Sequence, residues 1–170
     1  MSNNTHFKGR TIARLMAVQM LYQLRMNGQK DQQESLGEEI AEEIIAEYLT
    51  FRDLAQLKDL MKEGQDFAQE QDFHAVDKDF FTILVNGILQ SKKPLEGVLK
   101  DYLISQGKNR DPEPLMRAIL LMGLHEIKNH QDLDIAVIIS DYLDITHAFF
   151  DQNEAKFVNG VLDSLKSLRN

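Results

Sequence analysis

Three arginines near the amino terminus could form a cationic stripe on one helix. At about 100° per residue, Arg10, Arg14 and Arg25 fall within about 60° of one another, and Tyr22 lies about 60° further round. Such a stripe with an aromatic ring beside it suits single-stranded nucleic acid, because guanidinium groups neutralise phosphates and the ring stacks on a base. The alternative is an ordinary soluble helix surface, and Leu21 lies inside the same arc. Both interpretations remain open on these residues alone.

Residues typical of catalysis or metal binding form no recognisable pattern in the chain. The sequence has no cysteine, which excludes disulfides, a cysteine nucleophile and thiolate zinc sites. Its histidines do not form the paired helical spacing of a zinc protease, and His125-Glu126 is interpreted as structural. There is no glycine-rich phosphate loop and no serine elbow. We therefore predict that the protein is not an enzyme and has no catalytic residue, no cofactor and no metal.

The distribution of charge supports the nucleic-acid interpretation better than its total does. The net charge is −8, which by itself argues against binding a polyanion. However, residues 1–30 contain five basic residues and no acidic one, whereas residues 31–72 contain thirteen acidic and three basic residues. One end of an acidic protein is therefore locally cationic.

Helical periodicity extends along the chain and predicts an all-α fold, a compact bundle of about seven helices. We expect residues 1–9 to be a flexible basic arm and residues 10–170 to be a single all-helical domain, with 31–72 as an acidic helical segment. The first helix, over about residues 10–26, is apolar on nearly all sides between positions 12 and 24. We therefore place it at the centre of the bundle.

Capping and helix-breaking residues predict where the later helices begin and end. Asp77 is a plausible N-cap. Pro94 is expected to end the helix that follows, because the residue before proline avoids helical angles. The next helix should end at Gly107, and Asp111 and Pro112 should begin another as N-cap and first helical residue. The last two helices are predicted over about residues 135–149 and 154–168.

A six-residue segment is repeated within two of these helices. Residues 84–89 (LVNGIL) resemble residues 157–162 (FVNGVL). Glycine is unfavourable inside a helix and is usually kept where another backbone approaches closely. The repeat therefore suggests two similar helical bundles, each packed closely at Gly87 or Gly160, unless the likeness is a coincidence.

Three segments resemble the NusB family of transcription antitermination factors. Residues 17–23 (AVQMLYQ) look like the family's first-helix signature, and residues 117–120 (RAIL) with 125–127 (HEI) resemble its fifth-helix segment. Residues 156–163 (KFVNGVLD) are the most specific match, being similar to the family's C-terminal motif. The order and spacing of the segments agree with the family, and the resemblance extends over most of the chain.

The resemblance implies a fold and a function without catalysis. The fold is two helical subdomains around the central first helix. The function is binding of boxA, a single-stranded element of ribosomal and leader transcripts, together with a ribosomal small-subunit protein. The pair would join the antitermination complex, with other Nus factors and RNA polymerase as indirect partners. The implied protein is cytoplasmic, makes no membrane contact and is a monomer or a homodimer.

The resemblance also assigns residues to the two surfaces. Met116 and Leu121 stand where charged residues are common in the family. The RNA-binding residues that it implies are Arg10, Arg14, Tyr22, Lys156 and Phe157. We add Lys8 to this set as a charge in the same arm that has no exact counterpart in the family. The partner-binding residues are Tyr102, Met116 and Arg117.

Two other functions are compatible with the same sequence. A protein-only scaffold would bind the ribosomal protein without preferring boxA-like RNA. An RNA-positioning domain related to that of ribosomal RNA cytosine methyltransferases would need a separate catalytic domain.

Overall fold

The structure is a computed structural model that describes residues 3–26, 38–49 and 76–169, with side chains described at 9–26, 42–47 and 76–169. All regular structure in these ranges is helical, which confirms the all-α prediction. There are six α-helices in the described ranges, against about seven predicted. The elements are α1 (Asn3–Met26), α2 (Glu38–Leu49), α3 (Lys78–Ser105), α4 (Pro114–Asn129), α5 (Ile135–Phe149), α6 (Gln152–Ser164) and a 3-10 helix (Lys166–Arg169).

The first helix is central, as its apolar sequence predicts. Every residue from Ile12 to Leu21 is buried, and α1 contacts α3, α4 and α5. The helix begins at Asn3, inside the segment expected to be a flexible arm. Of the acidic segment 31–72, the structure describes only α2, which packs on α3. The rest of that segment lies outside the described residues.

A second central helix is α4. All twelve residues from Met116 to Ile127 are buried, and α4 contacts α1, α3, α5, α6 and the 3-10 helix. The core therefore forms around two adjacent helices rather than around α1 alone.

The prediction that Pro94 ends a helix is wrong, because α3 continues through it to Ser105. An internal proline removes one backbone hydrogen bond and costs about 3 kcal/mol. Buried residues lie on both sides of it, including Ile88 before it and Leu95 and Leu99 after it. Burial of these side chains offsets that cost, since each fully buried aliphatic side chain contributes about 1.5–3 kcal/mol.

Three helix ends show how local sequence sets the boundaries. Asp77 is an N-cap as predicted, because its carboxylate accepts a hydrogen bond from the Phe80 amide at 2.9 Å. Gly107 follows the end of α3 with φ +71°, a left-handed conformation that favours glycine. The predicted start of α4 is wrong by two residues, since the helix begins at Pro114 with Glu113 as N-cap.

A residue from the end of the chain caps the carboxyl end of α4. The Arg169 guanidinium donates to the backbone oxygens of Ile127, His130 and Leu133 at 3.1, 3.0 and 2.8 Å. The last carbonyls of a helix have no partner within it, so a cation placed there both satisfies and stabilises them. The 3-10 helix therefore holds the end of the chain against the start of α5.

The two glycines of the repeated segment lie in different surroundings. A Cβ atom at Gly87 would lie 2.4 Å from His125 Nε2, whereas a Cβ atom at Gly160 would meet nothing within 4 Å. Close packing is therefore present at Gly87, where the neighbour is a side chain, and absent at Gly160, so the hypothesis of two similarly packed glycine helices is wrong.

Alanine substitutions at these two positions should have opposite effects on stability. Gly160→Ala should raise the free energy of unfolding by about 0.5–1 kcal/mol, because it restores helix propensity in open space. Gly87→Ala should lower it by about 1–3 kcal/mol, because the added methyl group must displace a buried imidazole. Urea unfolding followed by circular dichroism measures both. If Gly87→Ala raised the free energy of unfolding, that result would contradict the close approach of His125 to Gly87.

Candidate functional site

A buried ion-pair network joins three helices at the middle of α1. Arg14 lies 2% exposed, with its Nε and Nη2 donating to the two carboxylate oxygens of Glu126 at 2.8 and 2.9 Å. Its Nη1 donates to Asp141 Oδ2 at 2.6 Å. A paired geometry of this kind is the strongest that guanidinium and carboxylate form. Arg14 therefore ties α1 to both α4 and α5.

Two hydroxyl groups complete the network. The Tyr142 hydroxyl donates to Glu126 Oε2, and the Thr11 hydroxyl donates to Asp141 Oδ2 at 2.9 Å. Burial, followed by the negative charge of Glu126, raises the pKa of Tyr142 well above its ordinary value. Burial lowers the pKa of Arg14, but the hydrogen bond and charge of Glu126 outweigh it and raise that pKa overall. The guanidinium is therefore held charged inside the protein.

The structure places Arg14 where it cannot contact RNA directly, although the sequence placed it on the cationic stripe. Its guanidinium is enclosed by two carboxylates and lies 4.9 Å from the centre of the Phe80 ring. A phosphate would have to displace Glu126, which is fully buried. The sequence contained a signal for this, because a charged residue inside a helix that is apolar all round must be buried and paired. The partner could not be inferred without the fold.

Arg10 lies one helical turn earlier and is partly exposed. Its guanidinium lies 5.0 Å from the centre of the Phe80 ring, and its Nε lies 3.6 Å from Asp77 Oδ2. The side chain is 33% exposed, so part of it reaches solvent. The side chain of Lys8 lies outside the described residues. Tyr22 is partly buried and packs against the core.

The C-terminal motif lies beside a group of cations that the sequence analysis did not select. Lys108 Nζ lies 3.9 Å from the centre of the Phe157 ring. Lys156, the residue before Phe157, is exposed. Lys108 also lines a surface pocket of about 160 Å³ together with Lys100 and Arg110. We call these five residues the basic end. Lys108 was missed because the loop after α3 has no sequence feature that indicates contact with α6.

The basic end and Arg10 lie toward opposite ends of α3. Arg10 stacks over Phe80 in the first turn of that helix, whereas Lys108 follows its last residue. The 28-residue helix is about 40 Å long at 1.5 Å per residue. The structure thus does not bring Arg10 and Phe157 together, although the resemblance assigned both residues to one RNA-binding surface.

The three predicted partner-binding residues differ in exposure. Tyr102 is partly exposed, and its hydroxyl donates to Ser164 Oγ at 3.1 Å. Met116 and Arg117 are each only 8% exposed. Tyr102 is therefore the residue of this set with a substantial surface to offer a partner.

His125 is buried between α4 and α3. Its Nδ1 lies 2.8 Å from Ser91 Oγ and 3.1 Å from Asn129 Nδ2. Its Nε2 faces Gly87 and has no hydrogen-bond partner among the residues that the structure describes. Burial, followed by the nearby His130, lowers the pKa of His125 to about 4. The imidazole is therefore neutral at physiological pH, in agreement with its interpretation as structural.

Neither a metal centre nor a membrane span is found in the described parts of the chain. No group of three or more histidine, aspartate or glutamate side chains there could hold a metal ion. None of the helices described is both long and apolar enough to cross a bilayer.

Comparison with known proteins agrees with this architecture. The NusB family model matches residues 11–167. Among curated proteins, transcription antitermination protein NusB of Bartonella henselae is 35% identical over 92% of this chain and 85% of its own length. The protein of the same name from Mesorhizobium japonicum is 32% identical over 93% of this chain and 88% of its length.

A solved structure has the same fold. NusB of T. maritima superposes with a TM-score of 0.59, covering 93% of this chain and 90% of its own, at 19% sequence identity. The chain therefore belongs to the NusB family of transcription antitermination proteins.

Proposed function

We propose that this protein is a cytoplasmic antitermination factor that binds boxA-type single-stranded RNA together with a ribosomal small-subunit protein. Its curated relatives are named transcription antitermination proteins. It would act by binding alone, without catalysis, and would reach other Nus factors and RNA polymerase through the assembled complex.

The observation that carries the RNA part of the proposal is the basic end. Lys108 and Phe157 are in contact, with Lys156 exposed beside them and Lys100 and Arg110 lining the adjacent pocket. These cations gather at one end of a chain whose net charge is −8. Lysines beside an aromatic ring suit a flexible strand, since the cations neutralise phosphates while the ring packs on a base.

Residues of the first helix would make a second group of RNA contacts. Arg10 and Tyr22 have partly accessible side chains. Lys8 stays in the proposal on the sequence argument alone. Arg14 enters it as a positioning residue, because its ion pairs hold the helix that carries the other three.

The partner surface is proposed around Tyr102. Its ring is partly exposed on α3, and its hydroxyl contacts α6. Ile104, which lies nearby on the same helix, is 52% exposed. Met116 and Arg117 are each only 8% exposed, so in this proposal they would stabilise α4 rather than contact the ribosomal protein directly.

A titration of labelled boxA RNA, with a scrambled RNA of equal composition as comparison, tests the proposal. Affinity for boxA should exceed that for the scrambled RNA, and more so when the ribosomal protein is present. If three or four phosphates are neutralised, the logarithm of the binding constant should fall with the logarithm of salt concentration at a slope of about −2 to −3. Equal affinity for both RNAs would favour the protein-only scaffold.

Lys108→Gln should reduce the magnitude of that slope by about 0.7, the contribution of one phosphate contact to a single strand. Lys128→Gln is the matched control, because Lys128 is exposed near the far end of α4. If both variants behaved alike, the basic end would not be the RNA surface.

A further inference from the structure

A narrow crevice lies where the end of α1, the middle of α3 and the start of α4 meet. Its charged lining is Arg25, Lys92, Arg117 and Glu96. In the described part of the chain it thus gathers three cations around a single carboxylate. Its apolar lining is Leu21, Pro114, Ala118 and Leu121. None of the three cations belongs to the basic end.

In two guanidinium groups at this crevice the Nε atom lacks an acceptor, although Nη1 of Arg117 donates to Asp111 Oδ1 at 3.3 Å. The Nε atoms of Arg25 and Arg117 are both buried and have no hydrogen-bond partner in the described structure. Arg117 is itself only 8% exposed, and the nearest oxygen of Glu96 lies 3.8 Å from its Nε, beyond hydrogen-bond distance. A buried N–H without an acceptor is unfavourable, so both groups would gain from an oxygen placed between them.

The start of α4 adds to the positive potential. The helix has 16 residues, and its N-cap Glu113 makes no side-chain hydrogen bond to the first turn. The positive end of the helix dipole therefore favours an anion near Pro114, which lines the crevice but has no amide N–H of its own to donate. The ligand class indicated by both observations is an anionic oxygen.

We propose that this crevice holds one backbone phosphate of the bound single-stranded RNA, an inference that rests on the proposed function. The crevice has a volume of about 10 Å³, room for about one oxygen-sized group, so a single phosphate oxygen enters and the strand stays outside. Arg25 follows Tyr22 by three positions on α1, which places them as neighbours on one helix face. A strand anchored at Arg25 would therefore present a base to that ring, an arrangement that a protein carboxylate would not use.

Thermal unfolding of the full chain in inorganic phosphate, at constant ionic strength set with chloride, tests the anion site without RNA. At a concentration several times the dissociation constant, phosphate should raise the Tm of the wild type by about 2–4 °C. Arg25→Gln should abolish the shift, whereas Lys128→Gln, at the far end of α4, should keep it. Equal shifts in wild type and Arg25→Gln would overturn the proposal.

RNA titration separates this inference from the function on which it rests. Arg25→Gln should weaken RNA binding about tenfold and reduce the salt slope by about 0.7. If RNA shows no boxA preference but the phosphate shift still depends on Arg25, the proposed function fails and the anion site remains. If acetate stabilises as well as phosphate and the RNA slope is unchanged, the crevice binds a protein carboxylate, and the phosphate proposal is overturned.

Discussion

Arg14→Met should lower the free energy of unfolding by about 3–5 kcal/mol, the usual cost of removing one partner from a buried ion pair. The substitution keeps a long side chain but leaves Glu126 fully buried without its cation. Of the hydrogen bonds that Asp141 makes within the described part of the chain, the one from the Thr11 hydroxyl would remain. Urea unfolding followed by circular dichroism gives the free energy, since the chain has no tryptophan for fluorescence.

Arg10→Met is the control for this substitution. Arg10 lies one turn away and its side chain is 33% exposed, with Nε 3.6 Å from Asp77 Oδ2. A pair of this kind contributes about 0–1 kcal/mol, so the variant should stay close to the wild type in stability. The double variant Arg14→Met/Glu126→Gln should lose less than Arg14→Met alone, because no buried carboxylate is left unpaired and the amide oxygen can still accept from Tyr142. If Arg14→Met kept the stability of the wild type, Arg14 would not hold the helices together.

Acidification should destabilise the fold by roughly 3 kcal/mol between pH 6.5 and 4 through His125 alone. Its pKa is lowered to about 4 by burial and by His130, against 6.5 for an ordinary histidine. In this window the unfolded chain binds a proton that the folded chain does not, so stability falls as the pH falls. Below about pH 4 both states are protonated, and this contribution levels off.

The variant His125→Gln should flatten the dependence of unfolding free energy on pH across that window. An NMR titration of the wild-type imidazole gives the pKa directly and does not depend on how well the variant folds. A titration midpoint near pH 6.5 for His125 would contradict the prediction, because it would show that the environment does not disfavour the protonated imidazole.

Local sequence determined the helices and many of their ends. The apolar pattern of α1 predicted its central position, Asp77 predicted an N-cap and Gly107 predicted a helix end. The N-cap and the helix end could be predicted because they depend on contacts within a few residues. The end predicted at Pro94 was wrong, since burial of Leu95 and Leu99 outweighs the cost of a proline within the helix. The family motif was also local, since it lies in consecutive residues of α6 and α1.

The two surfaces depended on the tertiary structure. Arg10 and Arg14 lie on one face of α1 by sequence spacing, yet one is partly exposed and the other is buried against Glu126. A helical pattern gives the direction in which a side chain points about the helix axis, but the burial of that side chain depends on which helices lie opposite it. The contact of Lys108 with Phe157 joins residues 49 positions apart in the chain. The packing of the helices determines which distant residues form such pairs. Charge and hydrogen bonding act through space, whereas the sequence specifies only the order of residues along the chain.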